Sequence, residues 1–190
     1  MTTTGKNGKQ VNASKGVQGF HETKRGEASS GKTLPQSALT NSGLTPEQED
    51  AIEAEARLVI DTVGYLDEMS QRGINRHGEW LKKEIAKPVE EMSTDGIAEV
   101  ACKMANYKGA QRVYRTFSKY VNEDGNTTQQ ALFRVTGMVT NTPSRSTDLA
   151  YRAESLSQHE GVLDAFDELS KMVAKQQKNT ERIMAGDVDA

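Results

Sequence analysis

The sequence predicts an all-α fold, a compact bundle of six or seven helices preceded by a disordered N-terminal arm. After Leu44, apolar residues recur at the three- and four-residue spacing of a helix, and no segment has the character of a buried strand. Before that residue the chain is rich in Gly, Ser, Thr and Lys and poor in apolar residues. The single cysteine excludes an intrachain disulfide and a cysteine-based structural zinc site.

The change in composition divides the chain into an arm over residues 1–44, a helical domain over 45–185 and a tail over 186–190. The arm carries six Lys and Arg against two Glu, a net charge of +4, and the rest of the chain carries −7. A basic arm is typical of a tail that binds phosphate or an acidic partner, although a solvated tail can have the same composition. We expect the arm to be mobile, because its apolar residues offset little of the roughly 1–2 kcal/mol of backbone entropy per residue.

The arm contains a match to the phosphate-loop pattern G-x-x-x-x-G-K-[ST], Gly26–Thr33 (GEASSGKT). A working phosphate loop follows a buried strand and opens a helix at its lysine. Here a glycine-containing, charged segment precedes the match, and Pro35, Asn41 and Gly43 interrupt the segment that follows it. We therefore expect that the chain binds no nucleotide.

The first helix of the domain has both of its ends marked. Thr45 is the expected N-cap, Pro46 occupies the first helical position, and the acidic residues that follow favour the positive end of the helix dipole. Arg72 and Gly73 have the order expected at a helix C-terminus. Between the two ends, spacings of three and four residues define one apolar stripe: Ile52, Ala56, Val59, Val63 and Leu66.

Three further helices are predicted from shorter patterns. The second runs through residues 77–92, and Pro88 is expected to kink or end it. Ser93 and the two polar residues after it cap a third helix over residues 96–108. The fourth covers residues 109–121 and ends at an Asp-Gly turn.

The C-terminal third of the chain predicts a short helix and a long helical stretch. Thr127 and Gln130 form a capping box for a fifth helix over residues 129–139. After a break, a long helical stretch starts at Asp148 and runs almost to the C-terminus, with Gly161 as its weak point. Its expected apolar face comprises Leu149, Leu156, Val162, Phe166, Leu169 and Val173.

No catalytic or metal-binding constellation is complete in the sequence. His77 begins an H-x-E pattern, but the P-C-x-x-C partner found in zinc deaminases is missing. His159 and Glu160 begin an H-E-x-x-H pattern whose last position is Leu163. We therefore expect no enzyme activity, no cofactor and no metal site.

The strongest functional feature is a row of cations in a stretch without acids, since residues 100–122 contain five Lys and Arg and no Asp or Glu. Four of these cations lie on one helical face, at spacings of four, three and four residues: Lys108, Arg112, Arg115 and Lys119. An apolar stripe about 100° away includes Tyr107 and Tyr114, which border the cations. The cations either pair with acidic residues of the fold or bind an external polyanion, with bases stacked on the tyrosines.

We expect from these features a non-enzymatic structural or assembly protein of the coat, nucleocapsid or virion-component type. The arm would contact neighbouring subunits and the basic helix would contact nucleic acid backbone, so the expected partners are further copies of the chain and single-stranded nucleic acid. The alternative is a helical partner-binding regulator, or a secreted effector with an unstructured export signal. Without a cleavable signal or a membrane-spanning segment in the sequence, we expect a cytoplasmic or virion location and no membrane partner.

Overall fold

The computed structural model describes residues 43–187 of the chain, and this part is helical. The predicted arm up to residue 42, with its phosphate-loop match, and the last three residues of the predicted tail lie outside the described residues. Four α-helices, joined without any strand, make up the described part: α1 (Pro46–Ile85), α2 (Thr94–Asn122), α3 (Thr128–Val139) and α4 (Leu149–Met184). A 3-10 turn, Val89–Glu91, connects α1 to α2. The all-α class is confirmed for this part, and the expected count of six or seven helices is wrong. No helix within residues 43–187 has both the length and the apolar composition that crossing a bilayer requires.

Each helix begins at a polar side chain that accepts a hydrogen bond from a backbone N–H of the first turn. These N-caps are Thr45, Ser93, Thr127 and Asp148. Gln48 and Gln130 accept a hydrogen bond from the N-cap backbone in return, so α1 and α3 have complete capping boxes. At its other end α1 stops at Ile85, three residues before Pro88, because a proline ring cannot continue an α-helix. The starts of these four helices were therefore predicted correctly, whereas the two further starts predicted at residues 77 and 109 are wrong, because both lie inside continuous helices.

Three glycines at predicted helix boundaries or weak points lie inside continuous helices: Gly73 was expected to end a helix, Gly109 to begin one and Gly161 to weaken one. α1 continues through Gly73, α2 through Gly109 and α4 through Gly161. The predicted ends after residues 72 and 108 are therefore wrong, and the reason at the last two glycines is close helix packing. A Cβ atom added to Gly109 would lie 2.0 Å from the carbonyl oxygen of Gln158, and one added to Gly161 would lie 2.0 Å from that of Asn106.

The helices alternate in direction along the chain. α1 and α4 are antiparallel, since Gln48 near the start of α1 donates a hydrogen bond to the carbonyl oxygen of Ile183 near the end of α4, at 2.8 Å. α2 and α4 are parallel, because on both helices the glycine crossing comes before the hydrogen bond from Tyr114 to Glu168. Both α1 and α3 pack against α2 and α4.

The core occupies one half of this bundle. Its largest fully buried side chains are Val63, Val113, Phe117, Val135, Leu169 and Val173. The predicted stripe of α1 is confirmed at Val59 and Val63, but the predicted apolar face of α4 is wrong at Leu149 and Leu156, which are exposed. Leu156 lies six residues before the buried Val162, a rotation of about 240° around the helix, so the predicted face combined two different stripes.

Candidate nucleic-acid interface

The four predicted cations lie together on the solvent-facing side of α2. Their side chains are all exposed, and we call this row the basic ridge: Lys108, Arg112, Arg115 and Lys119. The other side of the same helix contributes Val113, Phe117 and Val121 to the core. Core packing therefore fixes the rotation of α2 and keeps the basic ridge toward solvent.

One member of the basic ridge, Arg115, forms an ion pair within the fold. Its Nε donates to Oδ1 of Asp67 at 3.0 Å, and its terminal nitrogen donates to Oε1 of Gln71 at 3.0 Å. Both partners lie on α1. The Arg115 side chain remains 57% exposed, so this pair contributes at most about 1 kcal/mol to stability.

The other three members of the basic ridge, Lys108, Arg112 and Lys119, have no hydrogen-bond or ion-pair partner for their side chains among residues 43–187. Neighbouring like charges on one helix face repel each other by a few tenths of a kcal/mol per pair. Intramolecular pairing thus accounts for one of the four cations, and an external anion would relieve the remaining repulsion.

The two tyrosines predicted to border the ridge lie in different surroundings. Tyr107 is 36% exposed, and its ring stacks on His77 with 5.7 Å between the ring centroids. Tyr114 is buried, and its hydroxyl donates to Oε2 of Glu168 at 2.8 Å. Burial, together with this hydrogen bond, raises the pKa of Tyr114 above its ordinary value. Tyr114 is a core residue here, so of the two only Tyr107 has a ring that a base can reach.

A cleft of about 390 Å³ adjoins the basic ridge at Arg112. Its walls come from α2, from the end of α3 with the loop that follows, and from α4. Its polar lining consists of Arg112, Asn141, Thr142, Ser155, Gln158 and His159, and its apolar lining of Met138, Pro143 and Val162. The lining contains no carboxylate, so it favours anionic or neutral polar groups. This cleft could not be predicted from the sequence, because its walls come from three separate segments.

Charge is distributed unevenly over the described chain. Residues 43–99, which include all of α1, carry six Lys and Arg against fourteen Asp and Glu. Residues 100–152, which include most of α2, all of α3 and the start of α4, carry eight Lys and Arg against three Asp and Glu. The basic ridge therefore belongs to a basic segment of an acidic protein, and the field of that segment favours a polyanion.

The remaining reactive side chains form no further candidate site. No three His, Cys, Asp or Glu side chains within residues 43–187 lie close enough together to hold a metal ion. Cys102 is a free, half-buried thiol. On α4, Asp167 pairs with Lys171 and Glu168 accepts the hydrogen bond from Tyr114, so these two acids have structural partners.

Fold and surface define the described part of the chain as an all-α bundle with an exposed basic ridge. Comparisons of the chain with models of known protein families, with curated protein sequences and with solved structures gave no significant match. The features of the described residues that indicate a function are therefore the ridge, the cleft and the exposed apolar side chains.

Proposed function

We propose that the protein is a non-enzymatic assembly protein of the coat, nucleocapsid or virion-component type, whose basic ridge binds the phosphate backbone of single-stranded nucleic acid. The observation that carries this proposal is the set of three exposed cations without a protein partner, Lys108, Arg112 and Lys119. They extend over about 16 Å of a rigid helix, so several phosphates of one strand can be contacted together.

Arg115 can join these three cations at little cost. Its ion pair with Asp67 is exposed to solvent, and such pairs contribute at most about 1 kcal/mol. Exchange of the Asp67 carboxylate for a phosphate oxygen replaces one anion by another at the same guanidinium. The complete ridge then provides four backbone contacts, which carry no sequence information.

The cleft beside Arg112 gives the bound strand a second point of contact. A phosphate on Arg112 would place the adjoining sugar or base at the mouth of the cleft. There Asn141 and Gln158 offer amide donors and acceptors, and neither side chain has a hydrogen-bond partner within residues 43–187. Splayed bases of single strands are bound in this manner, so the cleft favours a single strand over a duplex.

Filter binding of a single-stranded RNA or DNA at two salt concentrations tests the ridge. Three to four contacts give a slope of log K against log salt of about −2 to −3, at roughly −0.7 per contact. We expect the triple variant Lys108→Ala, Arg112→Ala and Lys119→Ala to lose nearly all of this binding and to keep its helical content, because none of the three side chains packs in the core.

A matched control removes three positive charges that lie elsewhere on the protein. Its substitutions are Lys82→Ala, Lys175→Ala and Lys178→Ala. These lysines are also exposed and lie on α1 and α4. We expect the control to bind nearly as the wild type does. Absence of binding by the wild type at about 50 mM salt, or equal losses in the two triple variants, would contradict the proposal.

The second candidate, a partner-binding regulator or effector, is favoured by one different observation. Apolar side chains are exposed where α1 turns into α2: Ile85 is 60% exposed and Val89 is 77% exposed. An unidentified protein partner would cover such side chains. Light scattering of the purified protein separates the two candidates, because the assembly protein is expected to oligomerise and the partner-binding module to remain a monomer.

A further inference from the structure

The N-terminal half of α4 carries an apolar stripe on the face opposite the core. Leu149, Leu156 and Leu163 are 77%, 45% and 40% exposed. They are seven residues apart, so they follow one line along the helix. The buried residues Val162 and Ala165 lie on the other side of α4. We call the three leucines the leucine stripe.

The leucine stripe has a defined end. Two further steps of seven residues after Leu163 reach the polar residues Ser170 and Gln177. The apolar part is therefore about 21 Å long and confined to the first half of the helix. Within the described residues, all three leucines remain exposed.

The charges beside the leucine stripe are complementary to a second copy of the stripe. Leu149 lies seven residues before Leu156, and Leu163 lies seven residues after it. In the same way, Arg152 lies four residues before Leu156 and Glu160 four residues after it. Arg152 and Glu160 are exposed and have no ion-pair partner within residues 43–187. In an antiparallel pair centred on Leu156, Leu149 of each copy lies opposite Leu163 of the other. Arg152 of each copy then lies at the level of Glu160 of the other, so two such charge pairs can form. A parallel copy would place each arginine beside the other arginine.

We propose that the chain forms a homodimer by antiparallel pairing of two leucine stripes, with Leu156 on the two-fold axis. Such an interface is isologous, which means that both copies use the same surface. The assembly through this surface is therefore complete at two copies. The dimer supplies a subunit contact for the assembly role proposed above. The biological purpose of the dimer rests on that proposed function, but the pairing of the two stripes does not. A single helix pair is a small interface, so the dimer dissociates on dilution.

Sedimentation equilibrium without nucleic acid tests the dimer. We expect the wild type to approach twice the chain mass of 20.8 kDa at high concentration. Leu156→Asp should remain a monomer at every concentration, because it places two carboxylates on the two-fold axis. The control Leu58→Asp changes a leucine of α1 that is 58% exposed, and it should leave the dimer intact. A monomeric wild type at high concentration, or equal effects of the two variants, would overturn the proposal.

Charge exchange tests the antiparallel direction. Arg152→Glu alone and Glu160→Arg alone each place like charges at the same level, so each should weaken the dimer. The double variant Arg152→Glu with Glu160→Arg restores both ion pairs and should recover the wild-type dissociation constant. If the double variant associates no better than the single variants, the antiparallel arrangement is wrong.

The dimer and the nucleic-acid proposal fail separately. The ridge variant Lys108→Ala, Arg112→Ala and Lys119→Ala leaves the leucine stripe unchanged, so it should dimerise as the wild type does. Leu156→Asp leaves the ridge unchanged, so as a monomer it should keep the salt slope of nucleic-acid binding. Loss of dimerisation in the ridge variant would contradict the assignment of self-association to α4.

Discussion

At the scale of single residues, Tyr114 shows how the core of α2 is connected to α4. Its ring is buried, and its hydroxyl reaches the Glu168 carboxylate at the surface of α4. Burial disfavours the phenolate, and the hydrogen bond and the negative charge of Glu168 disfavour it further, so the pKa of Tyr114 is raised. The neutral hydroxyl is therefore part of what stabilises the folded state.

We predict that Tyr114→Phe lowers the free energy of unfolding by about 1 kcal/mol at neutral pH, because it removes one hydrogen bond and keeps the ring. The pKa is higher in the folded state than the ordinary value of 10.0, so the hydroxyl's contribution is fully present below pH 10 and is lost as pH rises through the folded pKa. The difference between wild type and variant should therefore shrink at alkaline pH.

Urea denaturation at neutral pH and about one unit above the ordinary tyrosine pKa measures this difference. Tyr151→Phe is the control, since Tyr151 is 57% exposed and its hydroxyl has no hydrogen-bond partner within residues 43–187. A Tyr114→Phe effect that is the same at both pH values would contradict the linkage between hydroxyl protonation and folding.

At the scale of helices, α2 and α4 cross through two glycines in a reciprocal arrangement. Gly109 of α2 meets the carbonyl oxygen of Gln158, and Gly161 of α4 meets that of Asn106. In both helices the carbonyl belongs to the residue three positions before the glycine. The absence of a side chain at both positions lets the two backbones approach, as is common at helix crossings that carry Cα–H···O contacts.

We predict that Gly109→Ala destabilises the protein by about 1–3 kcal/mol, because a Cβ 2.0 Å from a carbonyl oxygen must separate the helices. The control is Gly64→Ala in α1, where nothing lies within 4 Å of the added Cβ. Alanine in an exposed helix is favoured over glycine, so Gly64→Ala should stabilise by up to about 1 kcal/mol. Urea denaturation gives both values, and similar values for the two variants would contradict the tight crossing.

These glycines also show which features a sequence can predict. A capping box such as Thr127 with Gln130 acts within four residues, so its pattern is complete in the sequence and its helix start was predicted correctly. A glycine has the same local pattern at a helix boundary and at a helix crossing, so a boundary was wrongly predicted at Gly109 and the close crossing at Gly161 was not predicted. The difference lies in the partner helix, about fifty residues away in the chain.

The same distinction applies to the candidate interface. The cationic face of α2 was predicted from spacing alone, and the structure places all four side chains on the solvent-facing side. The pairing of Arg115 with Asp67 depends on residues 48 positions apart, and the cleft depends on three segments. The rotation that buries Tyr114 likewise depends on where α4 packs. Spacing defines a helix face, and only the tertiary fold defines what that face contacts.

At the scale of the whole molecule, the described bundle has a packed half and an open half. After Gly73 the only buried residue described in α1 is Glu84, and before Asn106 the only one in α2 is Ala105. The open half is held by contacts between α1 and α2, such as the close approach of Trp80 to Gly96, and by local contacts at the turn that joins the two helices. Among the local contacts, the Glu84 carboxylate pairs with Lys87 and accepts a hydrogen bond from the Ser93 N–H at 2.9 Å, and both contacts lower the pKa of Glu84.

The two proposed surfaces lie in different parts of this arrangement. The basic ridge spans the part of α2 whose other side packs in the core, so its cations are held in fixed positions along a rigid helix. The leucine stripe belongs to the start of α4, where residues 149–154 are all exposed. A dimer contact there would add burial to the part of the bundle that has least of it, without displacing the ridge.

We predict that hydrogen exchange differs along single continuous helices. Amides of residues 74–85 should exchange faster than those of residues 59–66 in the same helix α1, because opening the first segment exposes little buried apolar surface. The same contrast is expected in α2 between residues 94–104 and 110–121. Mass spectrometry of deuterium uptake on the Leu156→Asp variant measures this without a contribution from self-association. Uniform protection along α1 would show that the helix opens only when the whole bundle unfolds, and it would contradict the division into a packed and an open half.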